Sequence, residues 1–145
     1  MRIGIANDHG GVEVKNELVK YLVLNGYQVI NYGTDKEDPV DYPIYAFKIG
    51  EAIKNKEIEV GILICKSGIG MSIAANKVKG VRCAKVETKE DAAITREHNH
   101  SNVIALSAHT QVETLKEIVK SFIDTEYSME ERHVRRVEMM DNYDN

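Results

Sequence analysis

Five short apolar runs, rich in β-branched residues, alternate along the chain with longer segments in which apolar positions repeat every three to four residues. The runs cover residues 2–6, 28–32, 60–64, 82–86 and 103–107, and each has the length and composition of a buried strand. Strands that alternate with helices are joined by crossover connections, which make the sheet parallel. The pattern predicts an α/β fold: a three-layer, Rossmann-like, doubly wound sheet of five parallel strands.

The amphipathic segments predict the helices. They cover residues 12–25, 43–55, 88–98, 110–122 and 130–140, and a further helix follows a glycine-rich turn at residues 66–70. Thr88 and Thr110 each stand three residues before an acidic side chain, which is the pattern of a capping box and predicts a helix start at both places. The last helix is expected to dock on the fold and to leave residues 141–145 as a polar tail.

The topology of such a sheet predicts where a ligand binds. The most common strand order is 2-1-3-4-5, and ligands bind beyond the carboxyl ends of the strands, where the winding reverses between strands 1 and 3. Strand 1 runs into Asp8 and His9, and strand 3 ends at Cys65. The topology therefore predicts that these three residues lie together. Residues 33–41 form a long polar loop, and loops of this length often border sites.

The composition narrows the class of protein. At 145 residues the chain is long enough for one domain, spanning residues 1–145, with a sizeable core. A net charge of −4 argues against nonspecific nucleic-acid binding, which needs a broad basic surface. No apolar run approaches the roughly 20 residues of a membrane span, and the opening residues lack a secretory pattern. We therefore expect a cytoplasmic protein whose partners include neither nucleic acid nor membrane.

The two cysteines differ in their surroundings. Cys65 is followed by a glycine-rich turn and a helix N-terminus, and both this helix end and the neighbouring Lys66 favour a thiolate. The alternative interpretation of Cys65 is a small apolar residue that closes a buried strand. Cys83 lies inside a strand without such neighbours and is interpreted as core filler. Their spacing matches neither a dithiol motif nor a zinc ribbon.

The turn Lys66-Ser67-Gly68-Ile69-Gly70 can present backbone amides to an oxyanion or a phosphate. Two glycines in this spacing also occur in ordinary tight turns, so the signal is weak on its own. The chain has no G-x-G-x-x-G after the first strand and no G-x-x-x-x-G-K-[ST]. These absences disfavour a nicotinamide cofactor and nucleoside triphosphate hydrolysis.

Local positive charge is concentrated in the last predicted helix. Arg132 and Arg136 lie four residues apart and share a helical face, so their guanidinium groups can grip one phosphate. The alternative is a solvated basic helix end, which suits Arg135 better.

Three histidines and a tyrosine are further candidates. His98 lies just before the last strand, near the same sheet edge or in a neighbouring subunit, and can act as an acid or base near neutrality. His98, His100 and His109 lack a recognised spacing for metal ligands, and surface or capping roles suit the last two better. Tyr42 follows the long loop and either contacts a sugar hydroxyl or packs half-buried.

Together these motifs resemble the type B ribose-5-phosphate isomerases and their relatives, the allose- and galactose-6-phosphate isomerases. The resemblance spans almost the whole chain and rests on residues 3–11, 40–43, 65–77, 96–99 and 132–136. It implies an aldose–ketose isomerase that interconverts ribose 5-phosphate and ribulose 5-phosphate without a metal or organic cofactor. It also implies a homodimer, or a dimer of dimers, in which each active site is built from two chains.

The resemblance implies roles for individual residues. Cys65 matches the base that moves a proton between two carbon atoms, and His98 matches the residue that assists opening of the sugar ring. The other matches are substrate-binding positions, namely Asp8, His9 and Asn99, an anion loop formed by Lys66, Ser67, Gly68, Ile69 and Gly70, and the phosphate ligands Arg132 and Arg136.

Three positions depart from the family pattern. Lys66 stands where glycine is usual, His109 where a phosphate-binding arginine is common, and His100 where an acidic residue is common. Lys66 either restricts the backbone or adds a charge that favours the Cys65 thiolate. Two other functions therefore remain open: an isomerase for a six-carbon sugar phosphate, and a sugar-phosphate sensor without catalysis.

Overall fold

A computed structural model describes residues 1–143 as a parallel five-stranded sheet with helices on both faces. The strands are β1 (Arg2–Asn7), β2 (Gln28–Asn31), β3 (Val60–Cys65), β4 (Cys83–Lys85) and β5 (Val103–Ser107). The helices are α1 (Val12–Leu24), α2 (Tyr42–Lys54), α3 (Ile69–Ala75), α4 (Lys89–Asn99), α5 (Val112–Asp124) and α6 (Glu131–Asn142), and a short 3-10 turn over His9–Gly11 leads into α1. The predicted fold class is confirmed.

The strand order is β2-β1-β3-β5-β4, so the prediction for the last two strands is wrong. β5 lies inside the sheet, with Val103 to Leu106 buried, whereas the three residues of β4 are all partly exposed. An apolar strand is stabilised more by a central place, and a short strand ending in Lys85 suits an edge. The winding still reverses between β1 and β3, so the predicted ligand position is unaffected.

The outer side of β4 is occupied by a side chain. The Asn76 side-chain nitrogen Nδ2 donates to the Cys83 backbone carbonyl at 2.9 Å, and the Cys83 backbone N–H donates to the Asn76 side-chain oxygen Oδ1 at 2.8 Å. The side chain thus supplies the two hydrogen bonds that a neighbouring strand would make at this residue.

Two apolar layers hold the helices on the sheet. One lies between the sheet and helices α1, α4 and α5 and includes Ile5, Ile62 and Phe122. The other lies under α2 and α3 and includes Leu63 and Met71. Successive strand residues point to opposite faces, which is why the continuous apolar run of β3 serves both layers. No helix within residues 1–143 combines the length and apolar character needed to cross a bilayer.

One of the two helix starts predicted from a capping box is confirmed. The Thr88 hydroxyl accepts a hydrogen bond from the Asp91 backbone N–H at 3.1 Å, and α4 begins directly after Thr88. The prediction for Thr110 is wrong, because α5 begins at Val112 after an N-cap at Gln111. Thr110 instead lies in the turn after β5, where its N–H donates to the Ser107 carbonyl.

The last helix packs on α4 through its buried residues His133 and Val137. The predicted polar tail is partly wrong, because residues 141 and 142 belong to the helix; residues 144–145 lie outside the described part of the chain. Asp141 accepts a hydrogen bond of 2.8 Å from the guanidinium of Arg82, which precedes β4. This ion pair ties the end of the chain to the sheet edge.

Candidate active site

A cavity of about 500 Å³ lies at the carboxyl ends of β1 and β3. Its lining residues are Asp8, His9, Tyr42, Cys65, Lys66, Ser67, Ile69 and Gly70. The two strands are paired in register, Asn7 opposite Ile64, so the loops that follow them leave the same edge of the sheet. The predicted meeting of Asp8, His9 and Cys65 at one place is therefore confirmed.

Cys65 lines this cavity and is only 6% exposed. The Gly68 backbone N–H donates to the Cys65 sulfur at 3.1 Å. Gly68 has a φ of +79°, and a Cβ there would lie 3.1 Å from the backbone carbon of Leu106. Only glycine fits this left-handed turn without strain, and the turn aims a backbone dipole at the sulfur. Such a donor stabilises negative charge on a thiolate.

The second cysteine has no comparable environment. Burial raises the pKa of the Cys83 thiol to about 12, so that thiol stays protonated near neutral pH even though part of the residue reaches the surface. The difference between the two thiols agrees with the interpretation of Cys83 as core filler.

The loop after β1 is held in a defined orientation. An Asp8 carboxylate oxygen accepts from the Gly10 backbone N–H at 2.9 Å. The His9 Nδ1 atom accepts from the Val40 backbone N–H at 3.1 Å, which assigns the proton of a neutral His9 ring to Nε2. Nε2 is thus a hydrogen-bond donor. The long polar loop over residues 33–41 borders this site, because its Val40 N–H makes this contact with His9.

A buried lysine anchors the start of the same loop, and sequence reasoning missed it. The Lys15 ammonium, on a residue with no exposed surface, donates to the Thr34 carbonyl at 2.9 Å and forms an ion pair with Asp35. The hydrogen bond from Lys15 is the main cause that lowers the pKa of Asp35. The signal was present, because Lys15 stands on the same helical face as the core residues Leu18 and Leu22.

The anion loop is closed by an aromatic ring. A Cβ on Gly70 would lie 2.5 Å from the Tyr42 ring, so only glycine allows the ring to approach the loop this closely. Tyr42 therefore both packs and lines the cavity, and the two interpretations offered by the sequence are compatible. The Lys66 side chain crosses to the other loop, where a Cβ on Gly10 would lie 3.2 Å from its Cγ.

The remaining candidates lie at the opposite edge of the sheet. Val103 of β5 pairs with Gly61 at the start of β3, whereas Cys65 ends β3 about 13 Å farther along the strand. His98 and Asn99 end α4 shortly before Val103 and therefore belong to the amino edge. The prediction that His98 lies at the same edge as Cys65 within one chain is wrong. The alternative of a neighbouring subunit remains a prediction.

Arg132 and Arg136 also lie away from the Cys65 cavity. Arg132 and Arg136 are exposed on α6, which packs on α4, and Arg132 donates to the Glu130 carboxylate at 3.1 Å. Neither arginine lines the cavity that contains Cys65. One chain thus presents two separate half-sets of candidate residues.

His100 and His109, which depart from the family pattern, lie in different parts of the fold. His100 closes α4 with a φ of +49°, and its ring stacks on Tyr127 with centroids 4.2 Å apart. Burial, followed by the charge of Arg82, lowers the pKa of His100. His109 follows β5 at the carboxyl edge, so His98, His100 and His109 do not converge on one point. Their arrangement does not support the metal interpretation.

The five-stranded parallel fold is that of a sugar-phosphate isomerase. The family model described as Ribose/Galactose Isomerase matches residues 3–140, and the chain belongs to that family. The resemblance inferred from the motifs is confirmed.

Individual relatives agree with this assignment. The chain is 41% identical to a protein of Bacillus subtilis named putative sugar phosphate isomerase YwlF, over 99% of this chain and 97% of that protein. It is 38% identical to ribose-5-phosphate isomerase B of Escherichia coli, over 94% of this chain and 92% of that one.

Solved structures of ribose-5-phosphate isomerase B have the same fold. Ribose-5-phosphate isomerase B of Clostridium thermocellum matches with a TM-score of 0.94 and 40% identity, over 97% of this chain and 95% of that one. The enzyme of Mycoplasma genitalium, solved with bound ribulose 5-phosphate, matches with a TM-score of 0.92 and 34% identity, over 98% of this chain and 95% of that one.

Proposed function

We propose that residues 1–145 form one cytoplasmic isomerase domain that interconverts ribose 5-phosphate and ribulose 5-phosphate, a reaction of the pentose phosphate pathway. The observation that carries the proposal is the Cys65 thiol, which lies in a cavity and accepts a hydrogen bond from the Gly68 amide. Membership of the isomerase family and the ribulose 5-phosphate bound to the Mycoplasma relative support the same substrate class.

Isomerisation of a sugar phosphate needs a base, hydrogen-bond donors that stabilise a negative oxygen, and cationic groups that bind the phosphate. The Cys65 thiolate removes the proton from C2 of the open aldose, and an enediolate forms with its negative charge on O1. The resulting thiol returns a proton to C1, and the proton of the C2 hydroxyl passes to O1, so that C2 becomes the carbonyl carbon. The carbonyl oxygen that becomes negative must be met by donors that are already in place. No metal or organic cofactor is needed for these steps.

The loop geometry selects the donors for this oxyanion. The Gly68 amide is engaged with the Cys65 sulfur, and the Ile69 amide donates to the Ser67 hydroxyl oxygen at 3.2 Å. The Ser67 hydroxyl therefore keeps its own proton for the substrate. Gly70 lines the same cavity in the first turn of α3, where the helix has no acceptor for its backbone N–H. We assign the oxyanion to these two groups rather than to every amide of the loop.

The second half-site is proposed to come from another copy of the chain. His98 would move protons during ring opening, Asn99 would bind the sugar, and Arg132 and Arg136 would hold the phosphate. These residues and Cys65 occupy opposite sheet edges, so one chain does not bring them together. A two-fold dimer joins the half-sites of different chains twice, and a dimer of dimers preserves the same contacts.

Exposed apolar residues beside the cavity support such a contact. Ile69 and Ile73 on α3 are 54% and 60% exposed, and Ile44 and Phe47 on the adjoining helix α2 are exposed as well. Large apolar side chains that cluster at one surface are stabilised when a second protein surface covers them.

Mixing two inactive variants tests the shared site. Cys65→Ala and His98→Asn proteins are each expected to be inactive, and random exchange makes half of the dimers mixed. Each mixed dimer has one site with both native residues, so activity should return to about one quarter of the native value. Continued inactivity, with subunit exchange verified by mass spectrometry of differently tagged chains, would contradict sharing.

Substrate specificity is tested on the purified native protein. Ribose 5-phosphate, allose 6-phosphate and galactose 6-phosphate are assayed side by side, and ribose 5-phosphate should have the largest kcat/KM. A preference for either six-carbon sugar would correct the substrate. Binding of all three without turnover would identify a sensor, in which Lys66 and His109 mark the lost activity.

A further inference from the structure

The imidazole ring of His98 is not free in the chain, because it stacks on a second imidazole. The ring centroids of His98 and His133 are 4.3 Å apart, and the ring planes differ by 26°. His133 lies in the first turn of α6 on its buried side and is 5% exposed. A buried ring thus covers one face of the proposed ring-opening residue.

The orientation of His133 is fixed by a serine. The Ser128 hydroxyl lies 2.6 Å from His133 Nδ1 and accepts from the Glu130 backbone N–H at 3.3 Å. The contact with Ser128 holds the Nδ1 edge of the His133 ring, and the tautomer of the ring decides which of the two atoms is the donor. The Ser128 backbone N–H donates at 3.1 Å to the carbonyl of Glu97, the residue before His98. Both rings are therefore tied to one short segment.

The charges around His133 favour its neutral form. The groups that face it are His98 from α4, Arg132 and Arg136 from α6, and the Glu130 carboxylate, 3.8 Å from Nδ1. Burial, followed by the charges of His98 and Arg132, lowers the pKa of His133, and only Glu130 acts in the opposite direction. A neutral His133 ring packs against His98 without adding a charge beside it.

We propose that His133 is a positioning residue, whose ring, locked by Ser128, holds the His98 imidazole at the angle needed for opening the sugar ring. This inference rests on the proposed function. In ring opening the bond between C1 and the ring oxygen breaks, the anomeric hydroxyl loses its proton, and the ring oxygen gains one. The direction of a proton donor matters in this step. The orientation of the His98 ring does not affect proton removal at carbon, which is the role of Cys65.

Two readouts separate the steps in one protein. Conversion of ribose 5-phosphate requires ring opening. Incorporation of solvent deuterium at C1 of ribulose 5-phosphate does not, because the phosphate blocks its C5 oxygen and keeps this ketose open. In His133→Leu we expect conversion to fall about 10- to 100-fold, while deuterium incorporation stays within about threefold. His133→Phe, which retains a ring for stacking, should recover most of the conversion.

A matched control removes the other stacked pair. Tyr127 belongs to the same connection between α5 and α6 but stacks on His100, not on His98. Tyr127→Leu should leave the ratio of the two readouts at the native value. Ser128→Ala, which keeps both rings but frees His133 Nδ1, should lower the ratio and serves as the test variant if His133→Leu does not fold.

The outcomes distinguish the two levels of the argument. If the native protein neither converts ribose 5-phosphate nor labels ribulose 5-phosphate, the proposed function is wrong. Suppose that the native protein does both. The positioning role is then overturned if the His133 and Ser128 variants keep the native ratio of conversion to deuterium incorporation, whether both rates stay the same or both fall equally. A selective loss of conversion supports it.

Discussion

The guanidinium of Arg82 connects the end of α4, the start of β4 and the last helix. Its Nε donates to the carbonyls of Asn99 and His100 at 3.2 and 3.1 Å, and one Nη donates to His100 at 2.9 Å. The other Nη donates to Asp141. The side chain is 15% exposed. Replacing it by methionine keeps most of the stem and removes every donor.

The expected loss of stability follows from these contacts. A hydrogen bond from a charged donor contributes about 1.5 to 3 kcal/mol, and the lower value applies to each of the two carbonyl acceptors because solvent can reach this rim. The partly exposed ion pair with Asp141 adds less than about 1 kcal/mol. Arg82→Met should therefore lower the free energy of unfolding by about 3 kcal/mol.

Thermal unfolding measures this change directly. For 145 residues the unfolding entropy is about 0.3 kcal/mol/K, so Tm should fall by about 10 °C at fixed protein concentration. Asp141→Asn is the matched control, because it removes the charge of the partner and leaves both carbonyl contacts in place; its Tm should change by less than about 3 °C. Equal shifts in the two variants, or a shift below about 3 °C for Arg82→Met, would refute the assignment of stability to the helix end.

Three further measurements examine the site and its histidines. Cys65→Ala should reduce isomerisation and deuterium incorporation by at least about 100-fold while still binding ribose 5-phosphate in calorimetry, and unchanged turnover would remove the thiol from the mechanism. Arg136→Ala should raise KM about 10- to 100-fold with little change in kcat, whereas Arg135→Ala should change neither; an effect on kcat alone would argue against phosphate binding in the ground state. The lowered pKa values of His100 and His133 mean that the unfolded chain binds protons that the folded chain rejects, so stability is greatest above about pH 6.5 and is lost as pH falls below that value. Tm should fall between about pH 7 and pH 5, and His133→Leu should reduce this dependence; a Tm that rises on acidification would contradict the direction of the shifts.

The sequence was sufficient for features that depend on local pattern. The apolar runs located every strand, and the strand ends brought Asp8, His9 and Cys65 to one cavity. The order of β4 and β5 was not predictable from the sequence, because strands that are neighbours in sequence need not be neighbours in a sheet. The structure shows that β5 is buried inside the sheet and that β4 is a partly exposed edge strand.

The contacts around His98 depend on a turn at Met129 that the sequence does not predict. Met129 adopts a φ of +58°, although a left-handed conformation is usually signalled by glycine or asparagine. This turn follows Ser128 and leads into α6, which carries His133. Without knowledge of that backbone conformation, the stacked pair of imidazoles was not predictable from the spacing of the two histidines.

The amide of Asn76 has a consequence for how copies of the chain associate. By satisfying both backbone groups of Cys83, it denies an incoming strand the hydrogen bonds that edge-to-edge addition requires. Extension of the sheet into a neighbouring molecule at this border would first have to displace that side chain. Open-ended fibrous growth through β4 is therefore disfavoured at Cys83.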